Sequence, residues 1–145
     1  MNYILPVDRE KVIRASRTES QTHAIFKYSI DLIIPEGTPV YAAADGIVLD
    51  VKSDSNVGGG TRSFEKEENY IEIRHPDDEY SQYCHLRKDG AVVKIGDVVK
   101  AGQLIGYSGA TGWLANVPEP HLHFMVGKYK YENINYNFLP PNDDL

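Results

Sequence analysis

The chain has 145 residues, of which 41% are hydrophobic and 25% are charged, values that are ordinary for one globular domain. A net charge of −6 without a basic patch argues against nucleic-acid binding. A single cysteine, Cys84, excludes an internal disulfide, and no apolar run approaches the roughly 18 residues of a membrane span. In chain order, residues 1–14 mix charges early and show no apolar signal core. Because 145 residues fit one domain and leave little room for a second, we expect residues 1–145 to form a single domain.

Short β-prone segments in the first half of the chain predict strands. Residues 38–44 and 47–51 flank Asp45-Gly46, a dipeptide typical of tight turns, and they therefore predict a hairpin. Residues 52–68 contain three consecutive glycines and a charged run, which are typical of a mobile surface loop or of one wall of a substrate cleft. A phosphate-binding loop is disfavoured because no Lys-Ser/Thr pair follows the glycines.

The second half of the chain also lacks a helical period and is rich in glycine, which disfavours helices. Further strands are predicted at residues 70–75, 80–86, 103–108 and 120–126. Residues 76–79 read as a turn between the first two, and Gly96 and Gly102 as tight bends before the third. The tail, residues 128–145, is rich in Tyr and Asn and is expected to pack over the sheet. The predicted class is all-β.

Two histidines stand two residues apart in the last predicted strand. His121 and His123 should share one face, with Leu122 and Phe124 on the other face in the core. Two imidazoles are unfavourable on a core face because each buried ring nitrogen needs a partner. The pair therefore favours metal binding or acid–base chemistry.

The remaining candidate residues are less specific when taken alone. His85 should share a face with Tyr83, and Cys84 should then point away from His85, which favours a structural cysteine over a nucleophile. Asp31 lies among apolar residues and is equally typical of a capping or turn aspartate. His75 is interpreted as a strand-end histidine that forms a hydrogen bond near the turn.

Several motifs occur together in the order found in one family of enzymes. They are Asp31, Gly37-Thr38-Pro39-Val40, Ala43-Ala44-Asp45-Gly46, Arg74-His75, Tyr83-Cys84-His85-Leu86, residues 96–106, Ser108-Gly109-Ala110-Thr111-Gly112 and His121-Leu122-His123-Phe124. Across residues 22–126 the chain resembles the lysostaphin/LytM-type zinc metallopeptidases, also called duplicated-hybrid-motif peptidases.

The resemblance implies an antiparallel β-sheet domain of the duplicated-hybrid-motif type with a zinc ion at the floor of a groove. It implies that Asp31 and His123 are zinc ligands, and that His85 and His121 are catalytic histidines that do not bind the metal. It also implies the hydrolysis of peptide bonds in the stem or cross-bridge peptides of peptidoglycan, outside the cytoplasm. A catalytic zinc ion needs about three protein ligands and one open position.

The first zinc ligand departs from the family pattern. The family has a histidine four residues before the aspartate, whereas this chain has Lys27 there and His23 eight residues before Asp31. Because a protonated lysine has no free lone pair, we expect His23 to be the third ligand. An extended chain of eight residues would span roughly 26 Å, so the segment between His23 and Asp31 must loop back.

Three functions are compatible with these motifs. A zinc endopeptidase is favoured because Asp31, His85, His121 and His123 are all present together. The alternative is an inactive LytM-like module that binds or activates a cell-wall hydrolase. A third interpretation, a lipoyl or phosphocarrier domain, is disfavoured because no lysine stands at a matching exposed turn. A glycosidase would require a pair of acidic residues, and the motifs supply only Asp31.

Overall fold

The computed structural model describes residues 2–17, 28–115 and 117–128. Its strands are β1 (Arg14–Arg17), β2 (Tyr28–Ile33), β3 (Pro39–Tyr41), β4 (Gly46–Lys52), β5 (Gly58–Gly59), β6 (Tyr70–Arg74), β7 (Glu79–Cys84), β8 (Val98–Val99), β9 (Leu104–Tyr107), β10 (Gly112–Trp113) and β11 (His121–Lys128). The helical segments in the described ranges are 3₁₀ turns at Arg9–Lys11, Arg62–Glu67 and Pro76–Asp78. The all-β prediction is confirmed.

One seven-stranded antiparallel sheet organises the molecule, in the order β1-β2-β11-β7-β6-β4-β8. The last strand of the chain, β11, therefore lies between β2 and β7 near the middle of the sheet. In this register Asp31 on β2 is opposite His123 on β11, and His123 is opposite Cys84 on β7. Because directly opposed residues share a face, these three side chains project from the same face of the sheet.

The hairpin predicted around Asp45-Gly46 is wrong. Strand β3 pairs with β9 in a separate two-stranded sheet, whereas β4 pairs with β6 and β8 in the main sheet. The backbone of Ala42 and Ala43 instead bonds to Gln103, Gly102 and Ile4 and to the Tyr83 hydroxyl. These bonds carry the chain from one sheet to the other, so that no ladder can form across the turn.

The other predicted strands and bends are confirmed. Strands β6 and β7 form an antiparallel hairpin, and the turn between them begins at Pro76. Strands β9 and β11 match the segments predicted at 103–108 and 120–126. Gly96 and Gly102 have φ angles of 95° and 87°, values that glycine adopts without strain.

The core lies on the face of the main sheet opposite His123. It contains Leu32, Ile71, Tyr83 and Leu122, each at most 2% exposed, and Phe124 packs against it. Burying one such aliphatic side chain contributes about 1.5–3 kcal/mol to folding. Leu122 and Phe124 therefore lie on the core side as the alternation predicted, and the opposite face of the sheet remains for polar groups.

Two segments that the sequence singled out lie at the surface or beyond the described ranges. Within residues 52–68, β5 pairs in parallel with β10, and the 3₁₀ turn Arg62–Glu67 follows. Of the predicted tail, only Lys128 is described, so the prediction that it packs over the sheet lies outside the described residues. No helix in the described ranges has the length and apolar character that crossing a membrane requires.

Candidate metal centre

Asp31 and His123 lie against each other on the face of the main sheet opposite the core. Their strands pair in register, which places Oδ1 of Asp31 2.5 Å from Nδ1 of His123. The other ring nitrogen, Nε2 of His123, lies 3.2 Å from the Ser29 hydroxyl. Both ring nitrogens of His123 therefore have a partner on β2, Asp31 for Nδ1 and Ser29 for Nε2.

His121 stands beside this pair on the same face, as the two-residue spacing predicted. Its Nε2 lies 3.7 Å from Oδ1 of Asp31, and its Nδ1 is 2.8 Å from the main-chain oxygen of Glu119. Because a carbonyl oxygen can only accept, Nδ1 of His121 carries the proton. The Nε2 lone pair is thereby directed toward Asp31.

His85 joins the cluster from the end of β7. Its ring centre lies 4.7 Å from that of His121 and 6.1 Å from that of His123. Its Nδ1 donates to the main-chain oxygen of Thr111 over 2.7 Å, so the same tautomer is fixed as in His121. In both histidines Nε2 is therefore the nitrogen without the proton, and in His121 it faces Asp31.

The expectation that His85 shares a face with Tyr83 is wrong. Tyr83 is buried in the core, whereas His85 lies with the other histidines on the opposite side of the sheet. The strand ends at Cys84, and His85 has a left-handed φ of 73°, which interrupts the alternation of side chains. Cys84 and His85 therefore project to the same side, contrary to the divergence expected from a regular strand.

Burial and neighbouring charges set the protonation of the cluster. Burial lowers the pKa of His85 to about 3, and it also lowers the pKa of His121. Burial raises the pKa of Asp31, but the hydrogen bond from His123 and the nearby histidines outweigh it and leave that pKa below its ordinary value. Near neutral pH the Asp31 carboxylate is consequently ionised, and the imidazoles of His85 and His121 are neutral.

Cys84 is buried in a setting that disfavours its thiolate. The side chain is 1% exposed, and burial raises the pKa of the thiol well above its ordinary value. The structural interpretation of Cys84 fits this environment, because a nucleophilic cysteine requires an accessible thiolate.

One wall beside the cluster comes from residues 52–68 and 112–113, and the sequence predicted the first of these segments to be a surface loop or a cleft wall. It consists of β5, β10 and the 3₁₀ turn Arg62–Glu67, with the Arg62 guanidinium over the Trp113 ring at 5.3 Å. Glu68 follows the turn, and its carboxylate lies 3.5 Å from Nδ1 of His85. Burial raises the pKa of Glu68. Three glycines and a charged run indicated a loop here but not which residue reaches the histidines.

His75 lies at the other end of the β6–β7 hairpin. Its Nδ1 is 2.7 Å from the main-chain oxygen of Asp45 and its Nε2 is 2.8 Å from the Ser81 hydroxyl. Both ring nitrogens are therefore bonded within the fold. The predicted structural hydrogen bond near the turn is confirmed.

The donor set has two members that suit zinc and a third that remains a prediction. Asp31 and His123 offer the oxygen and nitrogen donors that zinc prefers. In the described part of the chain, no three His, Cys, Asp or Glu side chains are arranged to hold a metal ion. His23 and Lys27 lie outside the described residues, so His23 stays the predicted third ligand.

The sequence matches known peptidases over most of its length. Residues 25–136 match the sequence model of peptidase family M23. The glycyl-glycine endopeptidase ALE-1 of Staphylococcus capitis is 42% identical over 107 residues, which make up 73% of this chain and 26% of ALE-1. The peptidoglycan DD-endopeptidase ShyC of Vibrio cholerae serotype O1 is 42% identical over 94 residues, 65% of this chain and 18% of ShyC. The chain thus spans about a quarter or less of these relatives.

The fold is also similar to that of solved peptidases. A crystal structure of a zinc-containing peptidase from Vibrio cholerae superposes with a TM-score of 0.62 at 30% sequence identity. The similarity covers 87% of this chain and 36% of that one.

Proposed function

Because this chain belongs to peptidase family M23, we propose that it is a zinc-dependent metalloendopeptidase that hydrolyses peptide bonds in the stem or cross-bridge peptides of peptidoglycan. One observation carries the proposal: His85 and His121 are both held at Nδ1 by main-chain carbonyls, and their rings lie beside the Asp31–His123 pair. The names of ALE-1 and ShyC support an endopeptidase that acts on the cell wall.

The residues would divide the work as follows. Asp31 and His123 hold the metal ion together with His23, and zinc, when bound, supplies Lewis acidity that polarises the scissile carbonyl and favours deprotonation of water. His85 and His121, neutral at neutral pH because burial lowers the pKa of each, accept the proton of the attacking water and return it to the leaving amine. They also orient the water and stabilise the developing oxyanion by hydrogen bonds.

The assignment of His23 is tested by zinc affinity. We expect His23→Ala to lose affinity because a neutral imidazole donates a lone pair, and Lys27→Ala to keep it because a protonated amine cannot. Isothermal titration of zinc into metal-free wild type and both variants measures this difference. Full affinity in His23→Ala would contradict the assignment and favour the inactive module.

The function is tested on purified peptidoglycan. Zinc-loaded protein should release new amino groups without new reducing sugar ends, a chelator should stop the release, and added zinc should restore it. The Asp31→Asn variant serves as the matched control because it keeps the shape of the side chain and removes its charge. Binding of peptidoglycan by metal-loaded protein without any cleavage would favour the module that binds or activates a hydrolase. New reducing ends without amino groups would contradict peptide hydrolysis.

A further inference from the structure

His85 has a backbone conformation that a non-glycine residue adopts only under constraint. Its φ of 73° lies in the left-handed region, which is unfavourable for a residue with a Cβ atom. Such conformations persist where the surrounding structure determines them, and they cluster at functional sites. The residues that hold this backbone therefore also determine where the His85 ring lies.

Asn69 holds the His85–Leu86 backbone from one side. Its main-chain oxygen accepts hydrogen bonds from the amides of both His85 (2.9 Å) and Leu86 (3.2 Å). Its side chain is fully buried and bonds on both ends: Oδ1 accepts from the Ser55 amide, and Nδ2 donates to the main-chain oxygens of Ser55 and Leu86. A buried amide with these partners is fixed in one orientation.

Thr111 holds the same backbone from the other side. Its hydroxyl donates to the main-chain oxygen of Leu86 over 2.6 Å and accepts from the main-chain amide of Asn69 over 3.1 Å. Its main-chain oxygen accepts the proton of Nδ1 of His85. The Thr111 hydroxyl thus connects Asn69 to Leu86. The main-chain carbonyl of the same residue fixes the His85 tautomer.

We propose that Asn69 and Thr111, here termed the His85 clamp, are positioning residues that set the orientation and tautomer of His85. The inference rests on the proposed function for its catalytic consequence, but the ring geometry itself does not depend on activity. A displacement of about 1 Å in a catalytic group can cost on the order of 10²-fold in rate. The clamp acts through His85 and not through substrate or metal.

The decisive variants are Thr111→Val, which removes the hydroxyl at nearly constant volume, and Thr111→Ser, which restores it. In the zinc-loaded protein we expect Thr111→Val to lower kcat by about 10- to 100-fold with KM and zinc content unchanged, since only a positioned proton carrier is disturbed. Thr111→Ser should recover most of the loss. Asn69→Leu should act in the same direction as Thr111→Val.

Ser81→Ala is the matched control for lost stability. Ser81 is fully buried and bonds to His75 and Tyr83, away from the His85 clamp. This variant should lower the thermal unfolding midpoint at least as much as Thr111→Val and leave kcat near that of wild type. An equal fall in kcat in both variants, assayed well below their midpoints, would overturn the proposal.

A second measurement is independent of turnover. Imidazole ¹⁵N chemical shifts of His85 should report the Nδ1-protonated tautomer in wild type and Thr111→Ser, and a mixture of tautomers in Thr111→Val and Asn69→Leu. Unchanged ¹⁵N shifts together with an unchanged kcat in these variants would overturn the proposal that the His85 clamp positions His85. If the wild type has no peptidase activity, the proposed function fails while these shifts still decide the clamp.

Discussion

Two buried histidines at opposite ends of the β6–β7 hairpin show how context decides what a histidine does. His75 belongs to a turn network, His75, Ser81 and Tyr83, in which both ring nitrogens bond to the protein. His85 lies beside His121 and His123, and the main-chain oxygen of Thr111 accepts a hydrogen bond from its Nδ1 alone. Burial lowers the pKa of each. Among the described residues, His75 and His85 therefore differ in whether a hydrogen bond also holds Nε2.

The largest effect should separate a metal ligand from the turn network. We expect His123→Ala to release zinc and abolish activity, because a catalytic zinc site needs about three protein ligands. His75→Ala should retain zinc, since His75 lies at the opposite end of the β6–β7 hairpin and bonds to Asp45 and Ser81. His121→Ala should also retain zinc while losing turnover. Metal content after gel filtration measures this, and equal zinc loss in His121→Ala and His123→Ala would show that the roles are misassigned.

The next effect should distinguish the two hairpin histidines in turnover. We expect His85→Ala to lower kcat by about 10²–10⁴-fold, the usual contribution of a positioned acid–base group, with zinc retained. His75→Gln should keep kcat within a few-fold of wild type. Steady-state kinetics on a cross-bridge peptide check both variants. A large loss of kcat in His75→Gln would contradict the distinction between the two histidines, because it would show that the turn network affects catalysis.

A smaller effect concerns stability, for which we expect His75 to matter more than His85. His75→Leu leaves the Ser81 hydroxyl and the Asp45 carbonyl without their ring partner, which should cost about 1–3 kcal/mol of unfolding free energy. His85→Leu removes a single hydrogen bond and should cost less. Denaturant unfolding of both zinc-free variants measures this, and an equal or larger loss in His85→Leu would contradict it.

The smallest effect concerns pH. Burial lowers the pKa of His75 below its ordinary value of 6.5, while the oxygen of Asp45 and the carboxylates of Asp45 and Glu79 partly oppose the shift. Tyr3 also packs on its ring. As pH falls below about 6.5, the unfolded chain binds a proton that the folded protein does not, so stability contributed by His75 is lost. Between pH 7.5 and 5.5, zinc-free wild type should therefore lose more unfolding free energy than His75→Gln. Parallel curves would exclude this contribution.

Local pattern was sufficient for the class of the fold, for the grouping of His121 with His123 and for the family. Side chains alternate along a regular strand, so His121 and His123 had to share a face and Leu122 had to enter the core. The family model confirms the lysostaphin/LytM-type resemblance that the ordered motifs indicated. The roles of His85, His121, Asp31 and His123, and of His23 as third ligand, remain predictions.

Only the tertiary structure decided features that depend on distant segments. Residues 38–51 carry a hairpin pattern, but the backbone of Ala42 and Ala43 bonds to residues far away in sequence, and the chain passes between sheets. The left-handed φ of His85 reverses the face that alternation assigns to it, and Asn69 and Thr111 hold it there. Alternation is a local property of an extended chain, whereas these constraints come from hydrogen bonds between segments that the sequence keeps apart.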